Sequence, residues 1–263
     1  MKLLTLNCHS WQEENQLEKI KYIASVIKEK QYDIIALQEV SQLIKSKVVY
    51  DNIKEDNFAL LINQELKNIG VNDYKFIWDI SHIGYDVYEE GLCIMTKLPI
   101  KEFKSFFVSK SEDINYWKTR KIVKLKSSYN DKDINIYSCH LGWYLDEEEP
   151  FTHQFDTLAK DIDTNGYSFI MGDFNNSATV INEGYEYILK KGFYDTYNLA
   201  LKKDNGITVK GKIAGWDKNK KDLRLDIIFS NKKIEVLSSN VIFNSKNKNI
   251  VSDHFGVEIE LKI

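Results

Sequence analysis

The chain has 263 residues, of which 43% are hydrophobic and 29% are charged, as is typical of a globular protein with its own core. It contains only two prolines and twelve glycines, which excludes collagen-like and proline-rich disordered chains. Its net charge of -3 excludes the chain-wide basic surface by which many nucleic-acid-binding proteins neutralise phosphates.

Short apolar or alternating runs predict strands, and segments with apolar residues three and four apart predict helices. In chain order the predicted elements are strand 2–7, helix 15–30, strand 32–40, helix 57–70, strands 74–80, 91–97, 120–126 and 133–140, helix 151–163, strand 167–174, helix 184–192, and strands 224–230, 233–243 and 255–263. In the first helix Leu17, Ile20, Ile23, Ala24 and Ile27 form one apolar stripe. Many strands with a few crossing helices predict a layered α/β or α+β domain, most simply two packed sheets with helices outside.

No repeat and no Pro/Gly/Ser linker divides the chain, so one domain over residues 1–263 is expected. Cys8, Cys93 and Cys139 lack the spacing of a zinc site and are expected to be buried free thiols of a reducing compartment. The first residues predict a strand and not a signal peptide, and no apolar run approaches the roughly 18 residues of a membrane span. A cytoplasmic protein with no membrane partner is expected. The sequence carries no signal for an oligomeric state.

Polar side chains recur where the predicted strands begin or end. They are Asn7, Gln38, Glu39, His140, Asp173, Asn175, Asp226, Asp253 and His254. Asp173 and Asn175 alone could be turn chemistry, but alternation along an extended chain also sends both side chains to one face. Six such clusters predict a shared rim. Because buried carboxylates without partners are costly, the rim should contain a cation or hydrogen-bonded pairs.

These residues occur in a recognisable order. Asn7, Gln38-Glu39, Glu90-Gly91, His140, Gly172-Asp173-Phe174-Asn175, Leu225-Asp226 and Ser252-Asp253-His254 resemble the motifs of the endonuclease/exonuclease/phosphatase superfamily, which includes pancreatic-type deoxyribonuclease and bacterial sphingomyelinases. The resemblance implies a four-layer α/β sandwich, two packed mixed sheets flanked by helices. It also implies that Glu39, helped by Asn7 and Asp253, binds Mg²⁺, with Mn²⁺ as a possible substitute. Magnesium is chemically sensible because it prefers hard oxygen ligands.

The resemblance further implies metal-assisted hydrolysis of a phosphoester. Asp226 would fix the tautomer of His254, and either Asp173 or His254 would accept a proton from the attacking water. Asn175 would orient that water or a phosphate oxygen.

Three more residues carry roles from the same resemblance. His140, held by Glu90, would stabilise negative charge on the phosphorus, although it could instead be a satisfied interior histidine. Arg120, in the stretch TRKIV, would bind phosphate with its planar fork, although a surface ion pair is an equal alternative.

Two tryptophan-containing loops bear on the substrate. CHLGWYLDEEEPF contains Trp143 and GKIAGWDKNKKDLRLD contains Trp216, and both segments resemble those of bacterial maltose 6'-phosphate phosphatases. Flat aromatic faces suit sugar rings, so both tryptophans are expected to bind substrate. Trp143 could alternatively pack beneath its own loop.

The resemblance therefore implies a hydrolase, a magnesium-dependent phosphatase of maltose 6'-phosphate or a related disaccharide phosphate. The alternative is a metal-dependent phosphodiesterase or endonuclease of the same superfamily, although the acidic net charge argues against a nucleic-acid groove. A catalytically inactive binding module is disfavoured because the motif residues are all present.

Overall fold

A computed structural model describes residues 1–263. The helices are α1 (Gln16–Lys30), α2 (Phe58–Asn68), α3 (Phe151–Asp161), α4 (Gly184–Lys190) and α5 (Thr196–Leu199). The strands are β1 (Lys2–Asn7), β2 (Ile34–Leu43), β3 (Val48–Tyr50), β4 (Ile53–Lys54), β5 (Lys75–Gly84), β6 (Tyr88–Thr96), β7 (Glu102–Phe107), β8 (Lys121–Tyr129), β9 (Lys132–His140), β10 (Tyr167–Asp173), β11 (Tyr194–Asp195), β12 (Ala200–Lys203), β13 (Val209–Lys210), β14 (Asp222–Leu223), β15 (Asp226–Ser230), β16 (Glu235–Ile242) and β17 (Gly256–Lys262).

Most strands belong to two sheets. The first sheet has the order β12-β16-β17-β1-β2-β6-β5, and the second has the order β11-β15-β10-β9-β8-β7. Both sheets are mixed, since β1 pairs parallel with β2 but antiparallel with β17, and β10 pairs parallel with β9 but antiparallel with β15. The pairs β3-β4 and β13-β14 lie outside these sheets.

Three apolar clusters separate four layers. One lies between the sheets and contains Leu3, Ile136 and Phe169. A second joins the first sheet to α1 and α2, and a third joins the second sheet to α3 and α4. The arrangement is the predicted sandwich, and the fold prediction is confirmed.

Strand β1 shows how the sequence produces the layers. Its side chains alternate, so Leu4 and Leu6 enter the cluster beneath the helices while Leu3 enters the cluster between the sheets. Consecutive apolar residues such as Leu3 and Leu4, which point to opposite faces, are what a strand covered on both faces requires. All of these side chains are fully buried.

The predicted stripe of α1 is correct except at its start. Ile20, Ile23 and Ile27 are buried, but Leu17 is 58% exposed. The buried residue in this first turn is Gln16, whose Oε1 accepts the backbone N–H of Trp11 at 2.8 Å. A polar contact with the incoming loop thus replaces the expected apolar one.

Strand β7 has no counterpart among the predicted strands. It is an edge strand paired only with β8, and its first four residues are exposed, so it carries little of the apolar patterning that identifies a strand. The three cysteines are free and buried, as predicted. None of the helices has the length and apolar character needed to cross a membrane.

Candidate active site

The strand register gathers the predicted polar residues at one edge of the sandwich. Asn7 is the partner of Gln38 where the parallel strands β1 and β2 run together. In the second sheet Asp173 is paired with His140 on one side and Asp226 on the other. Neighbouring positions on paired strands are about 5 Å apart, so the register alone makes these residues neighbours.

A β-bulge aims Glu39 into this edge. The pairing of β2 with β6 shifts between Leu37 and Val40, and Glu39 has a positive φ of 50°. Gly91 faces the bulge, where an added Cβ would lie 2.2 Å from the carbonyl oxygen of Asp79. A bulge re-aims a side chain at a cost in ladder pairing, and here it directs a carboxylate toward the second sheet.

Asn7 joins the carboxylates of the two sheets. Its Nδ2 donates to Glu39 Oε1 at 2.8 Å and to Asp173 Oδ2 at 3.2 Å, while its Oδ1 accepts the His9 N–H at 3.1 Å. The backbone donor fixes which end of the carboxamide faces the carboxylates. Asn7 therefore orients Glu39 with its nitrogen, and its oxygen faces away from that carboxylate.

Asp253 lies on the His9 side of the same edge. Its Oδ1 is 3.6 Å from His9 Nδ1, which is also 2.8 Å from Glu13 Oε1. Burial raises the pKa of Glu39, His9 opposes this effect, and the charge of Asp253 adds to it. The sequence prediction included Asp253 but missed His9 and Glu13, which occupy a loop with no motif.

His254 and Asp226 form a buried pair. Nδ1 of His254 lies 2.9 Å from Asp226 Oδ2, and Nε2 lies 3.7 Å from Asp173 Oδ2. Burial lowers the pKa of His254, but the charges of Asp226 and Asp173 outweigh it and raise the pKa well above its usual range.

Asp173 lies between Asn7, His140 and His254. Its Oδ1 accepts the Asn175 N–H at 2.8 Å. Burial raises the pKa of Asp173 to about 7, against the opposing charge of His254, and the charge of Asp226 adds to the increase. Burial therefore favours the protonated form of this carboxyl group when no cation is bound.

Asn175 is held at both ends of its carboxamide. Its Nδ2 donates to the carbonyl oxygen of Leu141 at 2.9 Å, and its Oδ1 accepts the indole N–H of Trp216 at 3.0 Å. Trp216 is not among the side chains that line the cavity and packs against a small cluster of Val209, Leu223 and Leu225. The polar atom of Trp216 thus holds Asn175, and the expected contact of its ring with substrate stays a prediction.

His140 also lies close to the carboxylates of Asp173 and Glu39, but it forms no hydrogen bond or ion pair with Glu90. Nε2 of His140 lies 3.7 Å from Asp173 Oδ2 and 3.9 Å from Glu39 Oε1. Glu90 instead places Oε1 3.4 Å from Nε2 of His82, a residue that the sequence prediction missed. The expected contact is wrong because the side chain of Glu90, on β6, is directed to β5, where its pairing partner is His82.

Burial perturbs this histidine-carboxylate region strongly. It raises the pKa of Glu90 to about 8, with Glu39 as a second cause, and lowers the pKa of His82 to about 3. Burial and the neighbouring Arg120 charge lower the pKa of His140 well below its usual value. His140 and His82 are therefore neutral hydrogen-bonding groups at physiological pH.

Arg120 is buried beside these groups without a carboxylate ion pair. Its Nη1 donates to the carbonyl oxygens of Trp117 and Thr119 at 2.9 and 3.3 Å, and its buried Nε has no partner. A surface ion pair, the alternative from sequence, is wrong. A buried guanidinium with donors to spare is suited to an anion.

A cavity of about 840 Å³ connects the groups. Its lining includes Glu39, His82, Glu90, Arg120, His140, Trp143, Asp173, Asn175 and His254, together with residues that the prediction missed, namely Tyr85, Asp86, Asn115, Trp117, Lys118 and Asp146. Trp117 follows Tyr116 and precedes Arg120 by three residues, so an aromatic cluster beside the predicted phosphate-binding arginine was the available signal.

The donor set fits a hard divalent cation. Glu39, Asp173 and Asp253 supply carboxylate oxygens, and all three cysteine thiols are buried within the apolar clusters. Burial raises the pKa of Glu39, Asp173 and Glu90 together, and a cation would remove the penalty of ionising them.

The four-layer sandwich with carboxylates, amides and imidazoles at one edge defines a class, the double-sheet hydrolases of phosphate esters. The chain belongs to the Endonuclease/Exonuclease/phosphatase family, whose sequence pattern matches residues 4–254. The motif resemblance found in the sequence is confirmed.

Solved structures agree with this assignment. An endonuclease/exonuclease/phosphatase family protein from Leptotrichia buccalis C-1013-b is 43% identical, with a TM-score of 0.94 and 100% of both chains covered. A mannosyl-6-phosphatase from Bacteroides thetaiotaomicron VPI-5482 has the same fold at 19% identity and a TM-score of 0.67, with 100% of both chains covered. A functionally unknown conserved protein from Enterococcus faecalis V583 is 18% identical, with a TM-score of 0.71, and covers 100% of this chain and 99% of its own. A search of curated proteins found no match.

Proposed function

We propose that this protein is a magnesium-dependent phosphomonoesterase that acts on a sugar phosphate, maltose 6'-phosphate or a related disaccharide phosphate. The observation that carries the proposal is one cavity that is lined by Arg120, Trp117 and Trp143. The guanidinium of Arg120 donates to backbone carbonyl oxygens and forms no ion pair with a carboxylate. Such a cavity offers an anion site and apolar faces together. A structural relative named as a mannosyl-6-phosphatase and the motif resemblance to maltose 6'-phosphate phosphatases support the same substrate class.

Glu39 would hold the cation, with Asn7 orienting its carboxylate and Asp253 close to it. Mn²⁺ could replace Mg²⁺ because both accept oxygen ligands. When bound, the ion would neutralise charge on the phosphate and on the leaving oxygen.

The protonation states favour one of the two candidate bases. His254 is a cation at neutral pH because Asp226 and Asp173 raise its pKa, so it has no free lone pair with which to accept a proton. Asp173 has a pKa of about 7 and remains partly ionised. We therefore assign proton acceptance from the attacking water to Asp173 and charge stabilisation to His254, which Asp226 positions.

Three side chains can donate hydrogen bonds to the phosphate. His140 is uncharged because its pKa is lowered well below the usual value. It can therefore donate a hydrogen bond to a phosphate oxygen while Asp173 accepts the proton of the water. Arg120 can offer its unused N–H groups to nonbridging oxygens. Asn175, fixed by Leu141 and Trp216, retains a second Nδ2 hydrogen for water or phosphate.

Charge around the cavity supports a small ester over a polynucleotide. Lys118 and Arg120 are the lysine and arginine side chains that line it, and His254 adds one imidazolium. Five acidic residues line it as well, namely Glu39, Asp86, Glu90, Asp146 and Asp173. Lys118 is itself paired with Asp146 at 2.8 Å. A nucleic-acid strand needs a basic track along its backbone.

Phosphate release from maltose 6'-phosphate, glucose 6-phosphate and mannose 6-phosphate tests the proposal, each measured with Mg²⁺ and with EDTA. We expect release only with the metal, and faster release than hydrolysis of bis(p-nitrophenyl) phosphate. Absence of release from every sugar phosphate would remove the proposal. Efficient plasmid nicking by the same preparation would instead support the phosphodiesterase alternative.

A further inference from the structure

Two tryptophans form a wall of the cavity, apart from the residues that we expect to bind phosphate. The rings of Trp117 and Trp143 meet edge to face, with centroids 6.1 Å apart and planes inclined by 61°. Trp117 is 52% exposed, so much of its ring is open to solvent. Trp143 is supported from behind by Gly215, where an added Cβ would lie 2.9 Å from the indole ring.

Hydrogen bonding separates these two tryptophans from the others. Trp11, Trp78 and Trp216 each donate their indole N–H to a protein oxygen. The indole N–H groups of Trp117 and Trp143 have no acceptor within the protein. Each therefore presents a flat apolar face and a free donor to the same cavity, a combination suited to a pyranose ring with its hydroxyl groups.

Side-chain contacts join the two segments that carry the tryptophans. Lys118 bridges the two segments that carry the tryptophans, with Nζ 2.8 Å from Asp146 Oδ2 and 2.5 Å from Glu148 Oε2. Tyr116 donates to the same Glu148 at 2.8 Å. A preordered wall reduces the entropy that must be lost when a ligand binds.

The wall is also connected to Arg120, the side chain that we expect to bind phosphate. Arg120 Nη1 donates to the carbonyl oxygen of Trp117 at 2.9 Å, and only two residues lie between them in the chain. We infer that Trp117 and Trp143 form a subsite for the second sugar ring, the ring that carries no phosphate. This subsite makes the enzyme selective for disaccharide phosphates over monosaccharide phosphates. The inference rests on the proposed function.

The test compares Trp117→Ala and Trp143→Ala with the wild type on maltose 6'-phosphate, glucose 6-phosphate and glycerol 2-phosphate. Burial of one sugar face on an indole predicts an increase in KM for the disaccharide ester of about tenfold, which corresponds to about 1.4 kcal/mol. The values of kcat/KM for the other two esters should change less than about twofold, within the scatter of a surface substitution. Phe103→Ala is the matched control, because Phe103 is 60% exposed and lies outside the cavity.

Equal losses on all three esters, or no loss on any, would overturn the subsite while leaving the proposed function intact. Absence of hydrolysis of every sugar phosphate by the wild type would instead remove the proposed function. In that case titration with unphosphorylated maltose, followed by tryptophan fluorescence, decides the subsite. Saturable quenching that is lost in both variants supports it, and absence of quenching in the wild type overturns it.

Discussion

Asp226 and His254 are hydrogen-bonded in the buried centre of the candidate site, with 2.9 Å between Oδ2 and Nδ1. The two residues come from β15 and from the segment before β17, which belong to different sheets. Burial by itself would make His254 neutral, but the pairing with Asp226 keeps the pKa of His254 well above its usual value. Asp226 therefore makes the largest contribution to the charge of the imidazole, and Asp173 adds to it.

Replacement of that carboxylate in Asp226→Asn should lower kcat by about 10²- to 10⁴-fold, the range for a lost catalytic proton or charge interaction. The pKa of His254 should fall at the same time, since burial would no longer be opposed by the Asp226 charge. Imidazole NMR titration and steady-state kinetics measure the two effects. Asp133→Asn is the control, because Asp133 is exposed and pairs with Lys101. An unchanged His254 pKa together with normal kcat would contradict the role.

Metal-free protein should lose stability as pH rises through the range of the buried carboxyl groups. Burial raises the pKa of Asp173 to about 7 and of Glu90 to about 8, so the folded chain holds these protons more tightly than the unfolded chain. Their contribution to stability is fully present below about pH 4, near the unfolded pKa, and is lost by about pH 8. Thermal unfolding in EDTA at a series of pH values measures this loss.

Added Mg²⁺ should therefore raise Tm more at pH 8 than at pH 5, because only ionised carboxylates bind the cation. Glu39→Gln supplies the matched variant. It should unfold at a higher Tm than the wild type in EDTA at pH 8, since one partly buried charge is removed, and should gain less from Mg²⁺. An equal gain from Mg²⁺ at both pH values in the wild type would count against a carboxylate site.

Much of this fold was predictable because its strands are short, apolar and bounded by turn residues. The predicted run 2–7 coincides with β1, and the predicted helix 15–30 differs from α1 by one residue. Edge strands such as β7 and the short pairs β3-β4 and β13-β14 were not predicted. Their stability comes from pairing and turns, and not from an apolar pattern that the sequence displays.

The site was predictable only as a set of residues. Motif order identified Asp173, Asp226 and His254, which the structure brings together. Contacts between them depend on register and on backbone irregularities, such as the bulge at Glu39, that no periodicity encodes. Glu90 was assigned the wrong contact for this reason, and Trp117 was missed because the stretch around it matches none of the motifs.

Arg120→Lys should weaken substrate binding although the positive charge is retained. Arg120 has a buried, unpaired Nε, and lysine lacks the planar fork that matches two phosphate oxygens. Loss of a hydrogen bond to a charged group costs about 1.5–3 kcal/mol, so kcat/KM should fall roughly 10- to 100-fold, mainly through KM. Arg224→Lys is the control. Arg224 is a buried arginine paired with Asp195 at 2.6 Å, so this change should lower Tm and leave KM unchanged. Equal KM values in wild type and Arg120→Lys would contradict phosphate binding.

Trp216→Phe should lower kcat without changing KM for any sugar phosphate. The substitution preserves packing against Val209, Leu223 and Leu225 but removes the indole N–H that holds Asn175 Oδ1 at 3.0 Å. A neutral hydrogen bond contributes about 0.5–1.5 kcal/mol, so kcat should fall roughly 2- to 10-fold. Trp11→Phe removes a comparable hydrogen bond, to the Ser41 carbonyl oxygen at 3.2 Å, and should leave kcat unchanged.

Kinetics of Trp216→Phe on two substrates of different size show whether Trp216 acts by positioning Asn175 or by contacting the sugar. If Trp216 acts only through Asn175, its loss affects the reacting group equally whichever sugar is attached, so glucose 6-phosphate and maltose 6'-phosphate should show the same decrease in kcat. A rise in KM confined to the larger ester would show that the ring touches the sugar, as the loop sequence had suggested. Because Trp216 lies outside the cavity lining and its polar atom is occupied, we expect the first result.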